Sequence, residues 1–365
     1  MLKNKNKGIT LVALVITIII LLILAGISIS ALTNTGIFQK AKDAKQKSAD
    51  AELDQNTKLD SYEEEISDYL PPDVKKAIKK GKPLSTDKNT EIADEKGNKI
   101  VIPAGFKVTG EATTVDKGIV IEDATSGATA GSQFVWVPVG KITKADGTET
   151  EIKLNRYTFA SDGTPTEKNE EVIDSYFSET ASKGNTVAKS ISDFKSSVAA
   201  NGGYYIGRYE ARTTTARNDK GNDLTQITEK GTDQVYNYVT QKQAAEQAQG
   251  MYTSNNFTSD LMNSYAWDTA ITFIQKCTDK TKYAYQNSLN TSLSQTGTTN
   301  DNPCNIFDMA SNVREWTTET SSNSGYPCVF RGGFYNSSSS YTSYRRNSDT
   351  SYSSSTLGFR PLLYL

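Results

Sequence analysis

The sequence predicts an α+β protein in which an apolar N-terminal helix and a helical stalk precede a large mixed domain. Three observations carry that expectation. Residues Ile9 to Leu32 run 24 positions without a charge. Residues 37–70 are polar and rich in Ala, Lys, Asp and Glu. From Lys99 onward, short β-like runs alternate with turn residues, and strongly amphipathic helices are few. The 365 residues allow about two domains. A net charge of −2, from 40 basic and 42 acidic residues, excludes a broad electrostatic footprint for nucleic acid, and no nucleic-acid partner is expected. The chain has no histidine. That removes Ser-His-Asp and Cys-His catalysis, imidazole acid–base chemistry and His-ligated metals.

The first element is the apolar run. A helix of that length reaches about 36 Å, enough for a bilayer core of roughly 30 Å. Lys3, Lys5 and Lys7 lie on its short leading side, which predicts a single pass with the C-terminal part outside the cytoplasm. A secretory signal peptide would have a small-residue cleavage site after a shorter core. Here the small residue, Gly8, precedes the run. Lys7-Gly8 followed by Ile9-Thr10-Leu11-Val12-Ala13-Leu14 resembles the leader of type IV prepilins and pseudopilins. The resemblance implies 1–8 as a leader, cleavage between Gly8 and Ile9 by a prepilin peptidase, methylation of Ile9, and a pilin-type helix over 9–33. It also implies other pilins as partners. That family usually carries Glu where this chain has Ala13, which suits a filament-tip subunit or a non-assembling anchor. A plain membrane anchor is the competing reading.

Residues 34–85 are expected to form a helical stalk and linker, with charges of alternating sign (Lys40, Asp43, Lys45, Asp50, Glu52) and a stop at Pro71-Pro72. The following lysines, Lys75 to Lys82, read as an exposed face or as a contact for an anionic envelope polymer. Residues 86–130 read as a short β-strand lead-in and 131–365 as the main domain, long enough to bury a core. Strand-like runs are Lys99-Ile-Val-Ile-Pro, Gly118-Ile-Val-Ile and Gln133-Phe-Val-Trp-Val-Pro-Val. Helices are expected over Thr240 to Tyr252 and Ser264 to Cys277, the latter with Trp267, Ile271 and Ile274 on one face.

Within this part come Phe134-Val-Trp-Val-Pro-Val139, Tyr204-Tyr-Ile-Gly-Arg-Tyr-Glu210, Asn305-Ile-Phe-Asp-Met-Ala-Ser-Asn-Val-Arg-Glu-Trp316, Arg331-Gly-Gly333 and Gly358-Phe-Arg-Pro361. In that order they resemble the formylglycine-generating enzyme, or sulfatase-modifying factor, family, which implies a decorated C-type-lectin-like fold over about 230 residues. Arg331 and Arg360 sit beside apolar residues, so they read as structural clamps needing carboxylate or carbonyl partners. Trp136 and Trp316 read as core.

Asp308 and Glu315 place two carboxylates seven residues apart with backbone carbonyls between, an oxygen-rich set that suits Ca²⁺. The family resemblance implies calcium ligands at Asp308, Ser311 (carbonyl), Val313 (carbonyl) and Glu315. Ser311 stands where the family usually has glycine, and strain at that turn is expected. The alternative is a carboxylate pair that only braces the loop. The family's oxidase activity rests on two copper-binding cysteines shortly after Arg-Gly-Gly. This chain has none there, so neither copper nor an enzyme is expected. Of Cys277, Cys304 and Cys328, a Cys304–Cys328 disulfide is the favoured pairing, although spacing does not fix connectivity.

Residues 335–356 instead contain ten Ser, four Tyr, three Thr, two Asn, two Arg and one Asp. Tyrosine with short polar residues is a paratope-like composition. Ligand-binding candidates are Tyr335, Asn336, Ser338, Ser340, Tyr341, Ser343, Tyr344, Arg345, Asn347, Asp349 and Tyr352. The set also resembles the variable proteins of diversity-generating retroelements; a merely polar surface loop is the plain alternative. The leading functional reading is a surface-displayed adhesin-like protein binding a protein or glycan. The competitors are a formylglycine-generating-type enzyme with a non-standard site and a pseudopilin capping a secretion filament.

Overall fold

The computed structural model describes residues 15–24, 40, 42–48, 51, 55, 58, 76–168, 177–178, 188–214, 216–217 and 231–365. Residues 15–24 and 42–48 are helical and exposed. Among the described residues, no helix is long and apolar enough to cross a membrane. The rest of the run expected to span one, with the Gly8–Ile9 junction and Ala13, lies outside the described residues. The chain divides into two compact units, Met1–Val74 and Lys75–Leu365.

Eleven strands of the second unit build its two principal sheets. They are β1 (Phe106–Thr109), β2 (Val120–Asp123), β3 (Gln133–Pro138), β4 (Phe177–Ser178), β5 (Gly203–Gly207), β6 (Thr258–Leu261), β7 (Arg314–Ser321), β8 (Cys328–Arg331), β9 (Arg345–Ser348), β10 (Leu357–Phe359) and β11 (Pro361–Tyr364). The larger sheet runs β6–β11–β5–β3–β2–β1, antiparallel at every step. The smaller runs β4–β7–β8–β9, with β10 laid parallel on β7. In β3 and β5 apolar residues occupy both faces, and every residue but Gln133 is buried. Continuous apolar runs of five or six residues suit strands covered on both sides.

Among the described residues, three α-helices join these sheets: α1 (Ile191–Asn201), α2 (Gln241–Gly250) and α3 (Ser264–Cys277). The two expected helices are present, and their starts have local causes. Thr240 and Gln243 form a reciprocal capping box, and the Asn263 side chain accepts from the Ala266 amide at 2.9 Å. The sequence reading missed α1. Its buried apolar stripe is only Phe194 and Val198, four positions apart, so its periodicity is weak. Trp136, Trp267 and Trp316 are fully buried, as expected for core.

The expected division at residue 131 does not hold. β1 and β2, from the supposed lead-in, pair in the same sheet as β3, and Phe106 packs edge-on to Phe134 at 6.0 Å. The turn residues before Gln133 connect antiparallel neighbours within one sheet and do not mark a linker. The expected disulfide is also corrected: Cys277, Cys304 and Cys328 are separate buried thiols. Cys304 donates to the Asp116 carbonyl, while Cys328 begins β8 opposite Thr320 and Ser348.

Candidate functional site

The segment expected to bind ligand connects β8 to β9 and then β9 to β10. Its backbone is tied down at several points. The Tyr335 amide donates to the Asn312 carbonyl and the Asn336 amide to the Asn290 carbonyl, both at 2.9 Å. The Trp267 indole donates to the Thr342 carbonyl at 3.0 Å, and the Ser343 amide and hydroxyl both donate to the Ala284 carbonyl. Gly332 and Gly333 allow the start of the segment to press against the 309–310 loop. Gly332 has φ +86°, and a Cβ on Gly333 would lie 1.9 Å from the Ala310 carbonyl oxygen.

On this frame the tyrosines are half-buried. Tyr341 stacks on Tyr285 with centroids 4.3 Å apart and meets Tyr344 edge-on. Tyr352 lies edge-on to Trp316, and the Tyr335 hydroxyl approaches the Ser355 hydroxyl at 3.4 Å. Asn336 and Ser338 are exposed; Ser343, Asn347 and Asp349 are half-buried. Two of the expected binding residues are corrected. Ser340 is buried, 4% exposed, on a loop drawn under the face. Arg345 has its guanidinium committed inward, donating to Glu319 at 2.8 Å and to Asp268 at 3.1 Å.

Arg345 belongs to a buried network that lies beneath the segment. Asp268 on α3 and Glu319 on β7 are shared among Arg156, Arg331 and Arg345. The arginines on Asp268 hold its carboxyl below the ordinary carboxylate range against the opposing effect of burial. Arg331 is thus the clamp its sequence context predicts.

The motif running from Asp308 to Trp316 makes a second buried charge cluster. Glu315 uses both oxygens on Arg360, at 2.6 and 3.1 Å, and Arg360 also donates to the carbonyls of Gly207 and Phe307. Glu210 accepts from the Val313 amide at 2.9 Å and from the Asn312 side chain at 2.6 Å. Asp308 takes a hydrogen bond from Thr299 on one oxygen, and its other oxygen is buried without a partner. Burial, reinforced by the charge of Asp301, pushes Asp308 up to about 7, and burial raises Glu210, Asp301 and Glu315 as well.

These contacts do not fit the calcium ligand set expected at Asp308, Ser311, Val313 and Glu315. The Glu315 carboxylate is taken by a guanidinium, and Glu210 braces the loop through its amides. Among the described residues, no three acidic or thiol side chains converge in a metal-binding group. As placed, the loop's carboxylates are engaged by Arg360, Thr299 and the Asn312 and Val313 amides. Ser311 is also unstrained: positive φ falls on Asp308 (67°) and Asn312 (57°), while the buried Ser311 hydroxyl accepts from the Leu289 amide at 3.1 Å.

Three residues of the face escaped the sequence reading: Tyr285, Phe334 and Arg314. Arg314 opens β7 and is 9% exposed, held between the rings of Phe330 and Phe334 at 4.6 and 4.4 Å. Its inward neighbour Glu315 drew attention to the other side of the strand. Strand alternation, which turns adjacent residues to opposite faces, was the available signal.

Three solved structures resemble the chain at low identity. Treponema denticola variable protein 1 is 13% identical, with 66% of this chain and 99% of that one covered and a TM-score of 0.36. PvdO from Pseudomonas aeruginosa is 12% identical over 64% and 95%, with a TM-score of 0.36. The Major Tropism Determinant M1 variant is 10% identical over 79% and 74%, with a TM-score of 0.30. A search of the curated proteins finds no match. Residues 192–363 match the sulfatase-modifying factor enzyme 1-like domain, and over that span the chain is similar to this family.

Proposed function

We propose that this chain is a surface-displayed, adhesin-like binding protein, with a sulfatase-modifying-factor-like domain that recognises its ligand through residues 335–356 and performs no oxidation. The observation that carries the reading is the pairing of a rigidly anchored loop backbone with half-buried tyrosines and short polar residues. Rings held in place contribute contact area with little ordering cost. The segment contains no cysteine, and the three cysteines elsewhere are poor nucleophiles or soft-metal ligands as they stand. Burial pushes the Cys277 and Cys328 thiols up to about 12 and Cys304 well above its ordinary value, so all three are protonated at neutral pH.

The apolar N-terminal run and its flanking lysines support membrane anchoring, with the domain outside the cytoplasm. The Gly8–Ile9 junction supports prepilin-type processing and placement among pilins. Edman or mass-spectrometric sequencing of mature chain should give methylated Ile9; a chain that retains Met1 beside correctly processed prepilins removes that part of the proposal. The composition of 335–356 also supports diversification by a retroelement. A neighbouring reverse transcriptase and template repeat are the expected genomic companions.

The functional test uses the purified full chain on arrays of glycans and cell-surface proteins. Parent chain should bind a defined subset, and a Tyr341→Ser/Tyr344→Ser variant that retains its fold should lose those spots. Unchanged binding by that variant moves the ligand site elsewhere. Formylglycine formation on a cysteine peptide, with copper supplied, would instead establish the enzymatic alternative.

A further inference from the structure

Arg314 is a mostly buried cation with no acidic partner among the described residues. Its Nη2 donates to the Thr356 hydroxyl at 2.8 Å, and its Nε is buried without a partner. Among the described residues it forms no ion pair, whereas Arg156, Arg331, Arg345 and Arg360 are each paired with a carboxylate. Arginine is almost never buried unless paired, because removing a charge from water costs several kcal/mol without a compensating partner. The neighbours do not supply one. Phe330 and Phe334 sandwich the guanidinium. Burial lowers its proton affinity and a second cation, Arg346, adds to that, while Tyr352 and Tyr344 oppose it only in part, Tyr352 also through a side-chain hydrogen bond. Arg346 sits across from Phe330 on β9, is exposed, and also lacks an ion pair among the described residues.

The uncompensated charge therefore lies at the tyrosine face, where Tyr344, Tyr352 and Phe334 are half-buried. We propose that Arg314 anchors the carboxylate of an acidic sugar, a uronate or similar pyranose within a polysaccharide; this rests on the reading of residues 335–356 as the binding face. A guanidinium recognises a carboxylate through planar, charge-assisted hydrogen bonds. The surroundings favour a sugar over an acidic peptide. One recessed and one exposed arginine stand among hydroxyl- and amide-bearing side chains and aromatic plates, and residues 335–356 contain no lysine. That pattern matches isolated carboxylates spaced along a hydroxyl-rich chain. A run of Asp or Glu would call for a denser set of cations.

The test is calorimetric titration of the full chain, purified in detergent, with a galacturonic acid hexamer. The acid hexamer should bind, and its methyl ester should bind at least about tenfold more weakly, a difference of about 1.4 kcal/mol. Arg314→Gln should weaken the acid hexamer at least about tenfold at moderate salt. Arg346→Gln should matter mainly at low salt, as a screened rim charge does. Equal affinity for acid and ester, full affinity in Arg314→Gln, or tighter binding of poly-L-glutamate overturns the assignment. Should Arg314→Gln fail to fold by circular dichroism, the acid–ester comparison on the parent chain decides alone. If no uronate binds while Tyr341→Ser/Tyr344→Ser still abolishes array binding, the sugar-acid inference falls and the face reading stands. If those tyrosine changes leave array binding intact, the face reading falls first.

Discussion

Two buried charge clusters lie a few residues apart in sequence and have opposite surpluses. Around Asp268 and Glu319 the arginines outnumber the acids, three to two. Around Arg360 the acids outnumber the cation: Glu210 feels the charges of Asp308 and Glu315, and Asp301 acts on Asp308. In the first cluster Asp268 is held in its ionised form by its arginines despite its burial. In the second, one guanidinium cannot hold all the carboxylates ionised, so protons provide part of the compensation. The arginine-rich cluster braces residues 335–356 from below, and the acid-rich cluster shapes the loop that β7 emerges from.

Breaking the arginine-rich cluster should cost most. Asp268→Asn leaves Arg331 and Arg345 sharing Glu319, and loss of one partner of a buried pair typically costs 3–5 kcal/mol. Urea midpoints should show that loss. A change under about 1 kcal/mol would mean the network is slack.

The pH response should separate the clusters. A carboxyl raised to about 7 in the native state binds its proton more tightly there than in the unfolded chain. Such a group therefore adds stability as pH falls from about 8 through 7 towards the unfolded value near 4. Asp268 has the opposite sign: its lowered value stabilises above about 4, and that contribution is lost only at more acid pH. Melting temperature should thus rise between pH 8 and pH 6, and Asp308→Asn should flatten that rise. An unchanged slope in the variant would move the titration to another group.

Because Glu315 is committed to Arg360, calcium and a chelator should give the same melting temperature. A calcium-dependent upward shift, lost in Asp308→Asn, would reinstate a metal at the acid-rich cluster. The smallest effects belong to residues 335–356. Tyr341→Ser loses a stacked ring and should cost on the order of 1–2 kcal/mol, with a coupling to Tyr285→Ser of about 0.5–1.5 kcal/mol in a double-mutant cycle. Ser338→Ala and Thr350→Ala, both exposed, should stay within about 0.5 kcal/mol.

The local features were the legible ones. Apolar runs at Phe134–Val137 and Tyr204–Ile206 became buried strands, and caps at Thr240 and Asn263 set the helix starts. Arg331 and Arg360 declared their role through apolar neighbours. What the sequence concealed were long-range partnerships. Nothing near Arg345 in the chain reveals that Asp268, 77 residues earlier, draws it inward. Ser311 looked strained by comparison with a glycine, yet the left-handed neighbour is Asn312, a type that tolerates that region. Tyr341 was legible as aromatic, but its half-burial depends on Tyr285, which arrives from a separate loop.

β11 lies between β5 and β6, one strand in from the edge of the larger sheet, and both of those neighbours precede it in the chain. During synthesis, that place stays open until Pro361–Tyr364 has left the ribosome, long after β5 and β6. Those two strands must therefore wait, each with an edge unpaired, for a segment that follows both. That dependence makes Pro361–Tyr364 an unforgiving place for deletion, because its loss strips two facing strands of their partner at once.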